Sequence, residues 1–179
     1  MSDARGQRLF IIVYPGVETS DEVYRTLREL EKQDKIDIKA AATLYLREDG
    51  KLRLKHRQRL TLWKDEFDVT AIGLILAGTR AGKLDGAVVG ALMGSHRSKH
   101  RREVGAVLEG KLGPDNSALA ILLTDADWVA AQSHVGHFGG VELGVVLTVK
   151  AERQLAEIAS DERVAAVVRE FVEIEEVTL

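Results

Sequence analysis

Four of the five histidines stand in two pairs that could ligate a metal ion. His96 and His100 are four residues apart, and His134 and His137 are three apart. Such spacings place both imidazoles on one helix face, so two converging helices could offer four nitrogens to zinc or copper. Arginine and lysine surround the first pair and oppose a cation, while the second pair flanks Gly136 near an expected helix end, where histidine commonly contacts free carbonyls. We therefore predict no metal site.

A phosphate-binding loop is the second chemistry that the sequence suggests. Residues 77–84 read A-G-T-R-A-G-K-L and follow an apolar run. A P-loop needs glycine at its first position and Ser or Thr after the lysine, and this chain has Ala77 and Leu84 there. The chain has no cysteine, and Ser95 lacks the glycine that follows a serine nucleophile. We predict no enzyme, no catalytic residue and no cofactor.

Five glycines at a strict spacing of four are the most unusual feature of the chain. Each glycine inside a helix costs about 1 kcal/mol relative to alanine, so close packing must compensate for the set. A ridge without side chains lets another helix approach closely. The partner is either a helix over residues 104–112 of the same chain or a second subunit. We favour a homo-oligomer whose interface is this glycine ladder: Gly78, Gly82, Gly86, Gly90 and Gly94.

Positive charge is concentrated in the middle of the chain. Residues 51–102 hold twelve cations and four anions, or +8, although the whole chain has a net charge of −3. The alternating cations of residues 51–59 are expected to share one face of a strand and form a basic stripe, with Leu52, Leu54 and Leu60 on the other face. An anionic ligand, either nucleic acid or an anionic membrane surface, would use Arg53, Lys55, Arg57, Arg97, Arg101 and Arg102.

Two other interpretations of the basic stripe are open. The stripe can be a solvated sheet face, since it lacks the interleaved aromatic residues on which single-stranded nucleic acids stack. It can also meet the acidic tail, residues 170–176, of a neighbouring copy, which would give an oligomer that weakens with salt.

Apolar periodicity predicts an α+β fold for one domain over residues 1–179. We expect a ferredoxin-like antiparallel sheet with a glycine-rich helical hairpin inserted at residues 69–113 and helices at the C-terminus. Residues 173–177 are either a late strand or a frayed tail. Strands are predicted at residues 9–14, 36–46, 51–62, 118–123 and 141–149. Helices are predicted from a capping box at Thr19 and Glu22 to near Lys35, with Val23, Leu27 and Leu30 on one face, over 128–138 with Asp125 or Asp127 as cap, and over 150–159 and 162–171.

The sequence does not predict a membrane span or a secretory signal. Residues 69–94 are the most apolar region, but Arg80, Lys83 and Asp85 interrupt them. A helix needs about 20 consecutive apolar residues to cross a bilayer. We expect a cytoplasmic protein that could also lie at a membrane periphery.

Several local patterns together resemble a known bacterial family. These are the strand-helix opening, the strand ending in E-D-G-K at residues 48–51, the Gly/Ala-rich insertion, and L-G-P-D-N-S-A-L at residues 112–119. Over roughly the first 150 residues they are similar to the domain of unknown function 1269 (DUF1269), whose members are labelled predicted membrane proteins. The resemblance implies a fold and no reaction. In this chain the Gly/Ala-rich part of the insertion, residues 69–94, carries three charges, whereas the family's stretch is usually uncharged.

Overall fold

A computed structural model describes residues 7–49, 52–56, 112–147 and 172–176, together with 157, 161–163 and 166. The glycine ladder, His96 and His100, and four of the six proposed anion-binding residues (Arg57, Arg97, Arg101 and Arg102) lie outside the described residues. So do residues 69–111 of the predicted insertion and most of the two predicted C-terminal helices.

The described elements form one mixed sheet with two α-helices, which confirms the α+β class. The strand order is β5-β1-β4-β2-β3-β6. Neighbouring strands of this sheet are antiparallel, except that β6 runs parallel to β3. The elements are β1 (Gln7–Pro15), α1 (Thr19–Lys32), β2 (Ala40–Leu46), β3 (Leu52–His56), β4 (Asn116–Leu123), α2 (Asp125–Val135), a short 3₁₀ helix (Gly136–Phe138), β5 (Val141–Leu147) and β6 (Val172–Glu176).

One face of the sheet packs against both helices. Alternate residues of β1 and β4 point to this side and meet the apolar faces of α1 and α2. The rings of Phe10 and Trp128 stack with their centroids 4.7 Å apart. The buried set includes the three residues predicted for the face of α1, and its central members are Phe10, Ile12, Tyr14, Val23, Leu27, Leu30, Leu119, Ile121, Leu123, Trp128, Ala131 and Val135.

The second face of the sheet is also apolar, and it is buried along the central strands. The strand register places ten residues of β1, β2, β3 and β4 there that are each no more than 4% exposed. Burial on both faces explains why β1 and β4 are continuous apolar runs rather than alternating ones. The residues on this face are Leu9, Ile11, Val13, Ala42, Leu44, Leu52, Leu54, Ala118, Ala120 and Leu122.

The helix ends differ from their predictions. No capping box forms at α1, because Glu18 is the N-cap residue and makes no side-chain bond, and the Thr19 hydroxyl donates to the carbonyl of Pro15 at 2.5 Å. Gly16, with φ of +96°, makes the turn that brings these two groups together. The helix ends at Lys32 instead of near residue 35, and Asp34 follows with φ of +55°.

The cap of α2 is also a correction to the sequence prediction. The N-cap is Thr124, whose hydroxyl accepts the backbone N–H of Asp127 at 3.2 Å; neither Asp125 nor Asp127 is the cap. Asp125 instead forms an ion pair with Arg8 at 3.0 Å. The α-helix begins at Asp125 and ends at Val135, so the predicted last turn is a 3₁₀ helix.

Two strand predictions also change. Strand β2 begins at Ala40 and not at Ile36. Ile36 and Ile38 are buried, as their spacing predicts, but they lie in the connection between α1 and β2. In that connection the N–H of Ile38 donates to Glu31 at 3.2 Å. Of the two alternatives for residues 173–177, a late strand or a frayed tail, the structure shows the strand: β6 covers Val172–Glu176. Within the described part of the chain, no helix is long and apolar enough to cross a membrane.

Candidate interaction surface on strands β2, β3 and β6

The described part of the basic stripe lies on β3, with cations and leucines on opposite faces as predicted. Leu52 and Leu54 are fully buried on the second face of the sheet. Arg53 and Lys55 are partly buried on the face that carries α1. The alternation of side chains along a strand is sufficient to produce this separation.

Strand β6 brings carboxylates alongside these cations. In the parallel register, Arg53 is level with Glu173 and Lys55 is level with Glu175. Arg47, which follows β2, forms an ion pair with Glu173. The tail is therefore placed beside the basic stripe of the same chain, whereas the sequence had suggested the tail of a neighbouring copy. Opposite charges on adjacent strands reduce the positive potential of this surface.

Tyr45 is at the centre of the surface and links it to α1. Its hydroxyl donates to a carboxylate oxygen of Asp21 at 2.5 Å, and the ammonium of Lys55 lies 4.9 Å from its ring centroid. Burial and the hydrogen bond to Asp21 raise the pKa of Tyr45 to about 12. The phenol is therefore protonated at neutral pH and acts as a hydrogen-bond donor, not as a base.

Buried polar side chains elsewhere connect loops to helices. Ser117 accepts the backbone N–H of Ser20 at 3.0 Å and donates to the carbonyl of Gly16 at 2.8 Å. Glu31 forms an ion pair with Arg28 at 2.5 Å and accepts the N–H of Ile38. These contacts satisfy groups that would otherwise be costly to bury, which is a structural role.

Of the two histidine pairs considered as metal ligands, the structure describes the second, which lies at the end of α2 and in the short 3₁₀ helix. His134 and His137 are both exposed, and the ring of His137 packs on Phe138 with centroids 4.2 Å apart. No group of three or more His, Asp or Glu residues among those described is arranged to hold a metal ion.

A pair that the sequence did not predict joins α2 to β5. Glu142 accepts the indole N–H of Trp128 at 3.0 Å and the side-chain amide of Gln132 at 3.4 Å. The carboxylate of Glu142 also adds to the burial that raises the pKa of Tyr14. No local pattern identifies this pair or the Tyr45–Asp21 pair, because their members are 14 and 24 residues apart.

The structure therefore brings Arg53 and Lys55 together on β3 and adds Arg47, Tyr45 and the acidic β6 to them. Comparison with protein-family models, with curated proteins and with solved structures finds no match for this chain.

Proposed function

We propose that this chain is a non-enzymatic structural protein that self-associates through the glycine ladder. The use of the described polar groups supports the non-enzymatic part of this proposal, and the spacing of the five glycines supports self-association. The hydrogen bonds and ion pairs between these polar side chains connect one element of the fold to another. They join Asp21 to Tyr45, Arg47 to Glu173, and Glu142 to Trp128. Catalysis instead requires groups that are poised toward a substrate and have pKa values suited to proton transfer.

The strand order supports a ferredoxin-like fold. Strands β1 and β2 are joined by α1 and lie on either side of β4, and β4 and β5 are joined by α2 and lie on either side of β1. Two interleaved β-α-β units of this kind produce the ferredoxin-like arrangement, which β3 and β6 extend at one edge. The resemblance to DUF1269 proteins is part of the same proposal, and so is a cytoplasmic location.

The alternative function, binding of an anionic ligand, is supported less well by the described surface. A phosphate-binding surface gains affinity from cations that are not already neutralised. Arg53 is level with Glu173, and Arg47 is paired with the same carboxylate. An anion approaching β3 would meet the carboxylate of Glu173 as well as the cations. We therefore favour self-association over anion binding.

The test of the proposed function is the mass of the purified protein in solution. Light scattering at low and at high salt should show an oligomer that resists salt, because helix packing does not depend on screened charges. Gly86→Leu should give a smaller species, because the new side chain overpacks the helix contact. Gly86→Ala is the matched control: it keeps a small residue and should keep the oligomer, with a helix more favourable by about 1 kcal/mol.

A monomer at both salt concentrations would show that the proposal is wrong. An oligomer that dissociates in high salt would point to contacts between charged faces instead of the glycine ladder. Binding of duplex DNA or anionic vesicles that falls steeply with salt would favour the alternative function.

A further inference from the structure

Strand β5 forms one edge of the described sheet and has few charged residues for an edge strand. Among the described strands it has a neighbour on one side, β1. The outer side of an edge strand presents backbone N–H and C=O groups that can pair with another chain. Proteins commonly protect such edges with lysine, proline or other charged residues.

The two edges of this sheet differ in that protection. Strand β6, at the far edge, reads V-E-I-E-E and is tied to Arg47 through Glu173. Strand β5 reads V-E-L-G-V-V-L, with one charged residue and no lysine, arginine or proline in seven. The charge pattern thus discourages pairing at β6 and leaves it unopposed at β5.

The single charge of β5 is directed toward α2. Both carboxylate oxygens of Glu142 accept hydrogen bonds from that helix, one from Trp128 and one from Gln132. These bonds hold the carboxylate over the helix-bearing face of the sheet. There it opposes pairing with another strand less than a carboxylate at the outer edge would.

Exposed apolar side chains lie next to this edge. Val141, the first residue of β5, is 44% exposed. Val129 is 67% exposed, follows Trp128 in α2 and precedes Gln132 by three residues, so it is on the flank of the helix that faces β5. Apolar side chains that stay exposed on β5 and α2 would add buried apolar area to a contact made along the described edge.

We propose that β5 pairs with β5 of a second copy of this chain, antiparallel and about a two-fold axis at Gly144. This inference rests on the proposed self-association and adds a contact surface to it. The axis at Gly144 gives an isologous contact, in which each residue of one copy meets the same partner as its equivalent in the other.

The register about Gly144 explains why the occupant is a second copy. It pairs all seven residues of β5: Val141 with Leu147, Glu142 with Val146, and Leu143 with Val145, each in both directions. Glu142 thus faces an apolar residue and not another carboxylate, and Gly144 has no side chain to collide at the axis. An antiparallel partner with the same sequence therefore places no like charges opposite each other.

A charge exchange at Val146 tests this register. In the proposed dimer, position 146 faces Glu142 of the other copy, so Val146→Glu places like charges opposite each other twice per dimer. Val146→Lys at the same position creates two attractive pairs. Within one chain the preference is reversed, because residue 146 is level with Arg8 on β1. The two variants therefore separate pairing between copies from stability within one copy.

The experiment is a concentration series by sedimentation equilibrium on the full chain, with circular dichroism to compare folding. We expect the dimer dissociation constant of Val146→Glu to exceed that of Val146→Lys by about thirty-fold, from cross-strand charge pairs counted twice. Hydrogen exchange of residues 141–147 in the wild type should slow as the protein concentration rises through the dissociation constant.

Four outcomes would overturn the proposal. A wild type that stays monomeric removes both this inference and the proposed function. If the two Val146 variants have equal dissociation constants and Gly86→Leu dissociates the oligomer, the β5 contact is refuted and the glycine ladder remains the proposed interface. A tighter dimer for Val146→Glu than for Val146→Lys contradicts the register. Capture of an unrelated extended peptide by residues 141–147, with no self-pairing, would assign the edge to another partner.

Discussion

Removing the hydroxyl of Tyr45 should weaken the attachment of α1 to the sheet in a way that depends on pH. Tyr45→Phe keeps the ring that faces Lys55 and deletes the hydrogen bond of 2.5 Å to Asp21. The comparison therefore isolates one hydrogen bond to a charged acceptor. Such bonds contribute about 1.5–3 kcal/mol.

The raised pKa of Tyr45 sets how much stability the folded protein loses when the phenol ionises. A rise from 10.0 to about 12, at about 1.36 kcal/mol per pKa unit, corresponds to about 2.7 kcal/mol. The side chain is only half buried, so water screens part of this interaction and we discount it to about 1–2 kcal/mol. Burial is the larger cause of this rise and the hydrogen bond to Asp21 the second, so the shift sets the loss of stability at high pH. The hydrogen bond, discounted in the same way for exposure, leads us to expect that Tyr45→Phe lowers the free energy of unfolding by about 1–2 kcal/mol at about pH 8.

The sign of the pH dependence follows from the direction of the shift. Between the unfolded and folded pKa values the unfolded chain has lost the phenolic proton and the folded chain keeps it, so stability falls as pH rises. The contribution of Tyr45 is complete below about pH 10, roughly half lost by about pH 11, and mostly lost at about pH 12. Tyr14, whose pKa is also raised by burial, adds to the decline in both proteins.

Urea unfolding of the wild type and Tyr45→Phe at about pH 8 and about pH 11 is the assay. The difference between the two proteins should shrink at the higher pH. A double-mutant cycle with Asp21→Asn should give a coupling of about 1 kcal/mol. If the variant is as stable as the wild type at about pH 8, or if the two lose stability in parallel, the account of Tyr45 is wrong.

Two further predictions concern local geometry. Gly140 has φ of +139°, and an added Cβ would lie 2.8 Å from the side chain of Ile12, so Gly140→Ala should destabilise the protein by about 2–4 kcal/mol in urea unfolding. Gly136→Ala, with open space around the new carbon, should be neutral or stabilising by up to about 1 kcal/mol, and the reverse order would refute this reasoning. Thr124→Ala should cost about 1 kcal/mol through loss of the α2 cap, and Thr124→Ser should restore most of it; equal losses would show that the hydroxyl does not cap.

Much of the secondary structure could be predicted from the sequence, because apolar periodicity reports directly which side of an element is buried. The runs that became β1 and β4 and the buried face of α1 needed only the chain itself. The same holds for the separation of leucines from cations along β3. Ile36 and Ile38 show the limit of the method, since they are buried as their pattern indicates but lie in a connection and not in a strand.

The helix ends were decided by competition between nearby hydrogen-bond partners. A threonine hydroxyl can cap a helix or bond to a carbonyl, and both choices are compatible with the same sequence letters. At Thr19 the turn at Gly16 brings the carbonyl of Pro15 into reach, so the hydroxyl bonds there. At Thr124 the hydroxyl accepts from Asp127 and caps α2.

Tertiary structure alone decided the candidate surface. From the sequence, contact between the cations of β3 and the acidic tail was considered only between two copies of the chain. Their charges did not show that the tail would add to the sheet as β6, parallel to β3 and in register with Arg53. Pairing between segments more than a hundred residues apart depends on the strand order of the whole sheet. Residue types therefore fixed the chemistry that each strand could offer, and the sheet determined which of those groups meet.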